Sequence, residues 1–211
     1  MTAFNEKFQR LTALDDRHIG RYLISQDPIE GKIRGAFKDE LILKSNACGL
    51  DQAKRIARDY PGLSLYNLLD ALAVTLQYHT SHSTRDYIMM GYFEAPNVIV
   101  LFEKNISKVE ALLQGLSLDI DVKAIILAHE LFHYLETTTE LYTDSVTVRL
   151  FKIGPIERRS LMIAPGEIAG MAFAKALLNL DFNPAILNYA FMYSINETEA
   201  EKIYQSMMRA L

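Results

Sequence analysis

The chain has 211 residues, 50% of them hydrophobic, which is enough to bury a sizeable core as one main domain. Its 22 basic and 26 acidic residues are spread along the chain and leave a net charge of −4, so no broad cationic face meets a phosphate backbone and direct nucleic-acid binding is not expected. No apolar run approaches the roughly 18 residues of a membrane span, the charge-interspersed start "MTAFNEKFQRLTALDDRH" has no signal-peptide core, and a single cysteine, Cys48, excludes an intrachain disulfide and suits the cytoplasm.

Residues 1–50 show patchy hydrophobicity and a cluster of turn formers at "SQDPIEGKIRG", which predicts an N-terminal extension with one or two helices and no readable function. The main domain is expected over 51–211. "LDQAKRIARDY" reads as a short amphipathic helix stopped by Pro61 and Gly62, and its cluster of Lys54, Arg55 and Arg58 reads as solvated surface. In "LSLYNLLDALAV", Ser64 suits an N-cap ahead of leucines at helical spacing. Strands are expected at "VTLQYHTS", "DYIMMGYF" and "NVIVLF", the last two joined by a turn-rich "EAPN" as an antiparallel hairpin. Helices follow at "SKVEALLQGLS", with Ser107 at its start, and at "AIILAHELFHYLE", beginning after Asp119 or Asp121. Further helices are expected at "PGEIAGMAFAKALLNL", at "NPAILNYAFMY", whose Asn-Pro pair suits N-cap and N1, and at "NETEAEKIYQSMMRAL". The pattern is α+β: a small, mainly antiparallel sheet followed by a helical C-terminal half.

The stretch "AHELFH" places His129 and His133 one helical turn apart on one face, where two imidazole nitrogens can converge on one ion. Zn²⁺ suits such ligands, and a catalytic site uses three protein ligands with one position left open. Glu130 would not ligate; it would take the proton of a water attacking a carbonyl and pass it to the leaving amine. An HExxH would arise by chance in roughly one such sequence in a hundred, and burying these polar groups among Ile125, Leu127, Leu131 and Leu135 costs free energy unless something pairs them. Candidates for a third ligand are Glu136, Glu140, Asp144, Glu157 and Glu167. Glu167 opens a helix-like run whose Ala169, Gly170, Ala172 and Ala174 permit close helix approach, although a glutamate there also suits the helix dipole alone, and spacing does not separate the two readings. Glu136 shares the histidine face and reads as a carboxylate supporting a ligand.

With these residues the chain resembles the ImmA/IrrE type of metallo-endopeptidase. In that family an extended segment precedes a helix bearing "HELGH", and a later helix of the form "E-x-x-A-x-x-F-A-x-x-L-L" supplies a ligand; here "NVIVLFEKNI", "LAHELFHYLE" and "GEIAGMAFAKALLNLDFNP" follow in the same order. The resemblance spans roughly Leu63 to Met207. It implies a zincin-like domain in which His129, His133 and Glu167 bind zinc and Glu130 is the general base. Phe132 stands where the family usually has glycine, Gly170 and Met171 interrupt its small-polar pattern, and Thr137 replaces a histidine often found after the motif.

The expected function is therefore a zinc-dependent endopeptidase cleaving a specific regulatory protein, such as a helix-turn-helix transcriptional repressor supplied as a separate partner. Tyr134, Tyr142, His79 and His82 are candidate donors to the oxyanion. A different class of function is a non-catalytic regulatory binding module on the same scaffold, with the N-terminal extension in the cleft, and a third is a metal-free helical adaptor.

Overall fold

Side-chain caps at positions marked by the sequence begin many of the helices. The computed structural model describes residues 3–80, 83–84, 87–116 and 118–210. The chain opens with helices α1 (Ala3–Thr12), α2 (Asp16–Ser25), α3 (Gly35–Asp59) and α4 (Leu65–Ala71). Strands β1 (Thr75–His79), β2 (Ser83–Thr84), β3 (Tyr87–Ile88), β4 (Gly91–Glu94) and β5 (Val98–Phe102) follow, then helices α5 (Glu103–Gln114) and α6 (Val122–Thr138). A hairpin of β6 (Thr147–Ile153) and β7 (Ile156–Leu161) leads into α7 (Ala164–Leu177), α8 (Leu187–Tyr193) and α9 (Glu197–Arg209). The architecture is α+β. Ser64, Asp121 and Asn196 accept backbone N–H bonds at the starts of α4, α6 and α9, and Asn183 caps the short turn Pro184–Ile186 before α8. Among the described residues no helix is long and apolar enough to cross a membrane.

The main sheet has the order β1-β5-β4. The hairpin of β4 and β5 is antiparallel as expected, with Gly91 opposite Leu101 and Glu94 opposite Val98. β5 inserts between β1 and β4 and so runs parallel to β1. It takes the centre because its run of Ile99, Val100, Leu101 and Phe102 is buried throughout, as a strand covered on both faces requires. The expected strand "DYIMMGYF" divides into β3 and β4, and β2–β3 forms a separate two-stranded ladder.

Layering places the site. α6 packs on β4 and β5, α7 packs on α6, and α3 packs on α7. The helix expected to begin at Asp51 begins at Gly35, so the division drawn between residues 50 and 51 falls inside α3. The reason is compositional: its buried face, Leu41, Ile42, Ser45, Gly49, Ala53 and Ile56, is rich in small residues that a sequence pattern reads as weak or turn-like. At Gly49 a Cβ would lie 2.0 Å from the Ala169 carbonyl oxygen, so α3 and α7 cross with their backbones in near contact. Cys48 lies in this helix, half-buried. The first fifty residues also supply Phe4, Phe8, Leu11, Ile19, Ile24, Leu41 and Ile42 to the core, and Phe4 stacks on Tyr189 of α8 with ring centroids 5.3 Å apart. α5 begins four residues before Ser107, directly from the end of β5. The β6–β7 hairpin was not expected, because basic residues and a bulge between Arg149 and Phe151 obscure its alternation.

Candidate metal centre

α6 starts where Asp121 accepts the Ala124 N–H at 2.8 Å, and it buries Val122, Ile125, Leu127, Leu131 and Leu135. That orientation turns His129 and His133 together toward α7 and the sheet edge. Their Nε2 atoms are 3.1 Å apart. Glu167, in the first turn of α7, brings Oε2 to 3.5 Å from His129 Nε2 and Oε1 to 3.7 Å from His133 Nε2. The three ligand atoms lie within 4.8 Å of one another, and this is the group of potential metal ligands among the described residues.

Close approach of α7 depends on Gly170. A Cβ there would lie 2.8 Å from His129 Nδ1 and 3.5 Å from Phe132 Cδ1, so glycine at this position is what lets the helix lie against the histidine ring. Phe132 faces the core, fully buried, with its ring 5.7 Å from that of Phe173, and does not narrow the cleft. Met171 lies on the cleft wall.

The two histidines are held differently. His133 Nδ1 meets Glu136 Oε2 at 2.7 Å, and Thr143 Oγ1 donates to Glu136 Oε1 at 2.5 Å, so Glu136 orients the His133 ring and stands outside the group of potential ligands. His129 Nδ1 is buried without a hydrogen-bond partner among the described residues, so packing against α7 holds that ring. Electrostatics favours a cation at this point. Burial opposes charge on His133, yet the Glu136 hydrogen bond and the nearby carboxylates of Glu167 and Glu130 push its pKa up to about 9. Burial likewise opposes charge on Glu167, but the hydrogen bond to His129 and the charges of both histidines hold it down to about 2. Burial raises the pKa of Glu130 above the ordinary carboxylate range, against the opposing pull of the two histidines.

The histidines, Glu130 and Glu167 open onto a cleft of about 490 Å³ whose other wall is Met90, Gly91, Tyr92 and Phe93, on and beside β4, with Asn188 and Phe191 of α8 closing one side. Two imidazole nitrogens, one carboxylate oxygen and an open direction toward a cleft suit a divalent metal with room for one more ligand.

The remaining sequence candidates lie elsewhere. Asp144 caps a turn by accepting the Leu141 N–H, Glu157 pairs with Arg159 on the hairpin, and Glu140 stands outside the ligand group. Tyr134 donates to the Leu72 carbonyl at 2.9 Å, the Tyr142 ring faces Lys44, and His79 packs its edge on Phe102; none lines the cleft. His82 lies outside the described residues. Sequence reasoning missed Tyr92, Asn188 and Thr143. Tyr92 was legible as a polar-tipped residue on the strand that pairs with "NVIVLF", but the other two become relevant only through packing.

Fold and site together define an α+β protein with a His-His-Glu group, able to hold a metal ion, built between two packed helices. Comparison of the chain with family models, curated proteins and solved structures finds no match.

Proposed function

We propose that the protein is a zinc-dependent endopeptidase of the ImmA/IrrE type, acting in the cytoplasm on a specific regulatory protein such as a helix-turn-helix transcriptional repressor. The observation that carries this reading is the convergence of His129, His133 and Glu167 beside a buried Glu130 at one cleft. Zinc fits the donor set best, because two imidazoles and a carboxylate suit a borderline ion that tolerates tetrahedral geometry.

When bound, zinc supplies Lewis acidity that polarises a peptide carbonyl and acidifies water. Glu130 holds the proton-transfer role. Its buried carboxylate has a raised proton affinity, which suits a group that takes a proton from attacking water and returns it to the departing amine. β4 supports a peptide substrate: it is an edge of the sheet, pairs only with β5 among the described residues, and borders the cleft. Tyr92 and Asn188 line the cleft and are the candidates for donating to a developing oxyanion, the Asn188 side chain also hydrogen-bonding Tyr22.

The test combines metal analysis with Glu130→Gln. The purified wild type is expected to carry about one zinc per chain and to cleave its repressor, and Glu130→Gln to keep the zinc while cleaving slower by about 10²–10⁴-fold. A well-folded wild type that takes up no zinc, or a Glu130→Gln variant that cleaves as fast as wild type, would overturn the proposal. Equal partner binding by both forms, with cleavage by neither, would point instead to a binding module.

A further inference from the structure

The start of α7 lacks a local cap. Ile163 occupies the N-cap position with an apolar side chain that accepts nothing, and Pro165 has no N–H. The Gly166 and Glu167 N–H groups reach the Ile163 carbonyl at 3.1 and 3.3 Å. The two N–H groups that remain, those of Ile163 and Ala164, both donate to Asp27 Oδ2 at 2.8 and 2.9 Å, although Asp27 precedes them by 136 and 137 residues. Asp27 Oδ1 accepts the Ile29 N–H at 3.0 Å, and the residue is only 6% exposed, so water does not readily replace it.

We infer that Asp27 is a positioning residue for the metal centre: by tying the first turn of α7 to the segment after α2, it sets where Glu167 meets His129 and His133. The inference rests on the metal-centre reading above. His129 and His133 share α6, and their mutual spacing follows from one helix turn. Glu167 is the ligand that α7 contributes, one turn after the anchored Ile163–Ala164 pair. Ligand distances tolerate only about ±0.2 Å, so a frayed or tilted first turn displaces the third ligand while leaving the other two in place. The far end of α7 has a separate anchor, in which Lys175 and Asn183 donate to Asp16 at 2.9 Å. That end provides a control.

Zinc affinity of the full chain, measured by competition with a chromophoric chelator, tests the assignment, with circular dichroism verifying that each variant is folded. Asp27→Ala is expected to weaken zinc binding about tenfold or more. Asp27→Asn, which keeps an oxygen for the Ile163 and Ala164 N–H groups, recovers most of that loss. Asp16→Asn, at the other end of the helix, stays within about twofold of wild type. Wild-type affinity in Asp27→Ala, or equal losses in the Asp27→Ala and Asp16→Asn variants, overturns the positioning role. A wild type that binds no zinc sinks the metal reading itself; amide exchange then decides the tether separately, and unchanged protection at Ala164, Gly166 and Glu167 in Asp27→Ala overturns it as well.

Discussion

His133 stands between two carboxylates with different duties. Glu136 fixes its ring through Nδ1, while Glu167 faces Nε2 across the ligand group. Folding raises the His133 pKa from 6.5 to about 9, so its contribution to the metal-free protein is fully present below about pH 6.5 and is lost as pH rises through about 9. Glu167, lowered from 4.5 to about 2, contributes above about pH 4.5, and that contribution is lost as pH falls through about 2. Thermal unfolding of the metal-free protein should therefore show falling stability between pH 6.5 and 9, and His133→Ala should flatten that fall. A metal ion held by His133 must displace its proton, so the proposed zinc binding should release about one proton per ion near pH 7 and strengthen up to about pH 9. Calorimetry in buffers of different ionisation enthalpy measures that release; a proton count of zero with pH-independent affinity would rule out this account of the ring.

Among the elements, α7 carries the most constraints, since it meets α3 on one side and α6 on the other. Two glycines at its contacts are expected to fail differently. Gly49→Ala places a Cβ 2.0 Å from the Ala169 carbonyl oxygen, a backbone atom that cannot rotate away, and should cost about 3 kcal/mol in denaturant unfolding. Gly170→Ala meets the His129 ring at 2.8 Å, a side chain that can shift, so its main effect should be on zinc affinity, weaker by about tenfold, with a smaller loss of stability. Equal stability loss with unaltered zinc binding in Gly170→Ala would show that the ring adapts without leaving its ligand position. The helical motif on α6 was legible because His129, Glu130 and His133 sit within one turn of each other, and their geometry follows from helix periodicity. Gly170 was visible only as a departure from a pattern, because a residue without a side chain carries no sign of what lies against it.

For the molecule as a whole, the N-terminal segment is structural to the site. Phe4, Phe8, Leu11 and Ile19 are buried in the same core as Leu127, Leu131 and Phe173, α3 backs α7, and Asp27 holds the α7 start. Deleting residues 1–50 removes most of α3, the buried Phe4, Phe8, Leu11 and Ile19, and the Asp27 tether, and should leave a chain without a cooperative unfolding transition. A truncated chain with wild-type melting would show that the segment is a dispensable extension, as its patchy composition suggests.

Features legible in the order of residues are local. Ser64, Asp121, Asn183 and Asn196 mark helix or turn starts because a cap is satisfied within three residues, "NVIVLF" becomes a buried strand because its run is apolar throughout, and the histidines pair through one helical turn. Glu167 was a candidate by residue type and a ligand only by resemblance. Tertiary structure decided which carboxylate joins the histidines, which one orients them, and how far the N-terminal helices reach into the core. Those outcomes depend on backbones meeting at Gly49 and Gly170 and on a carboxylate reaching across 136 residues. Contacts of that kind leave no periodic trace, because small residues and single polar side chains have the same local signature in a turn, on a surface or at a helix crossing.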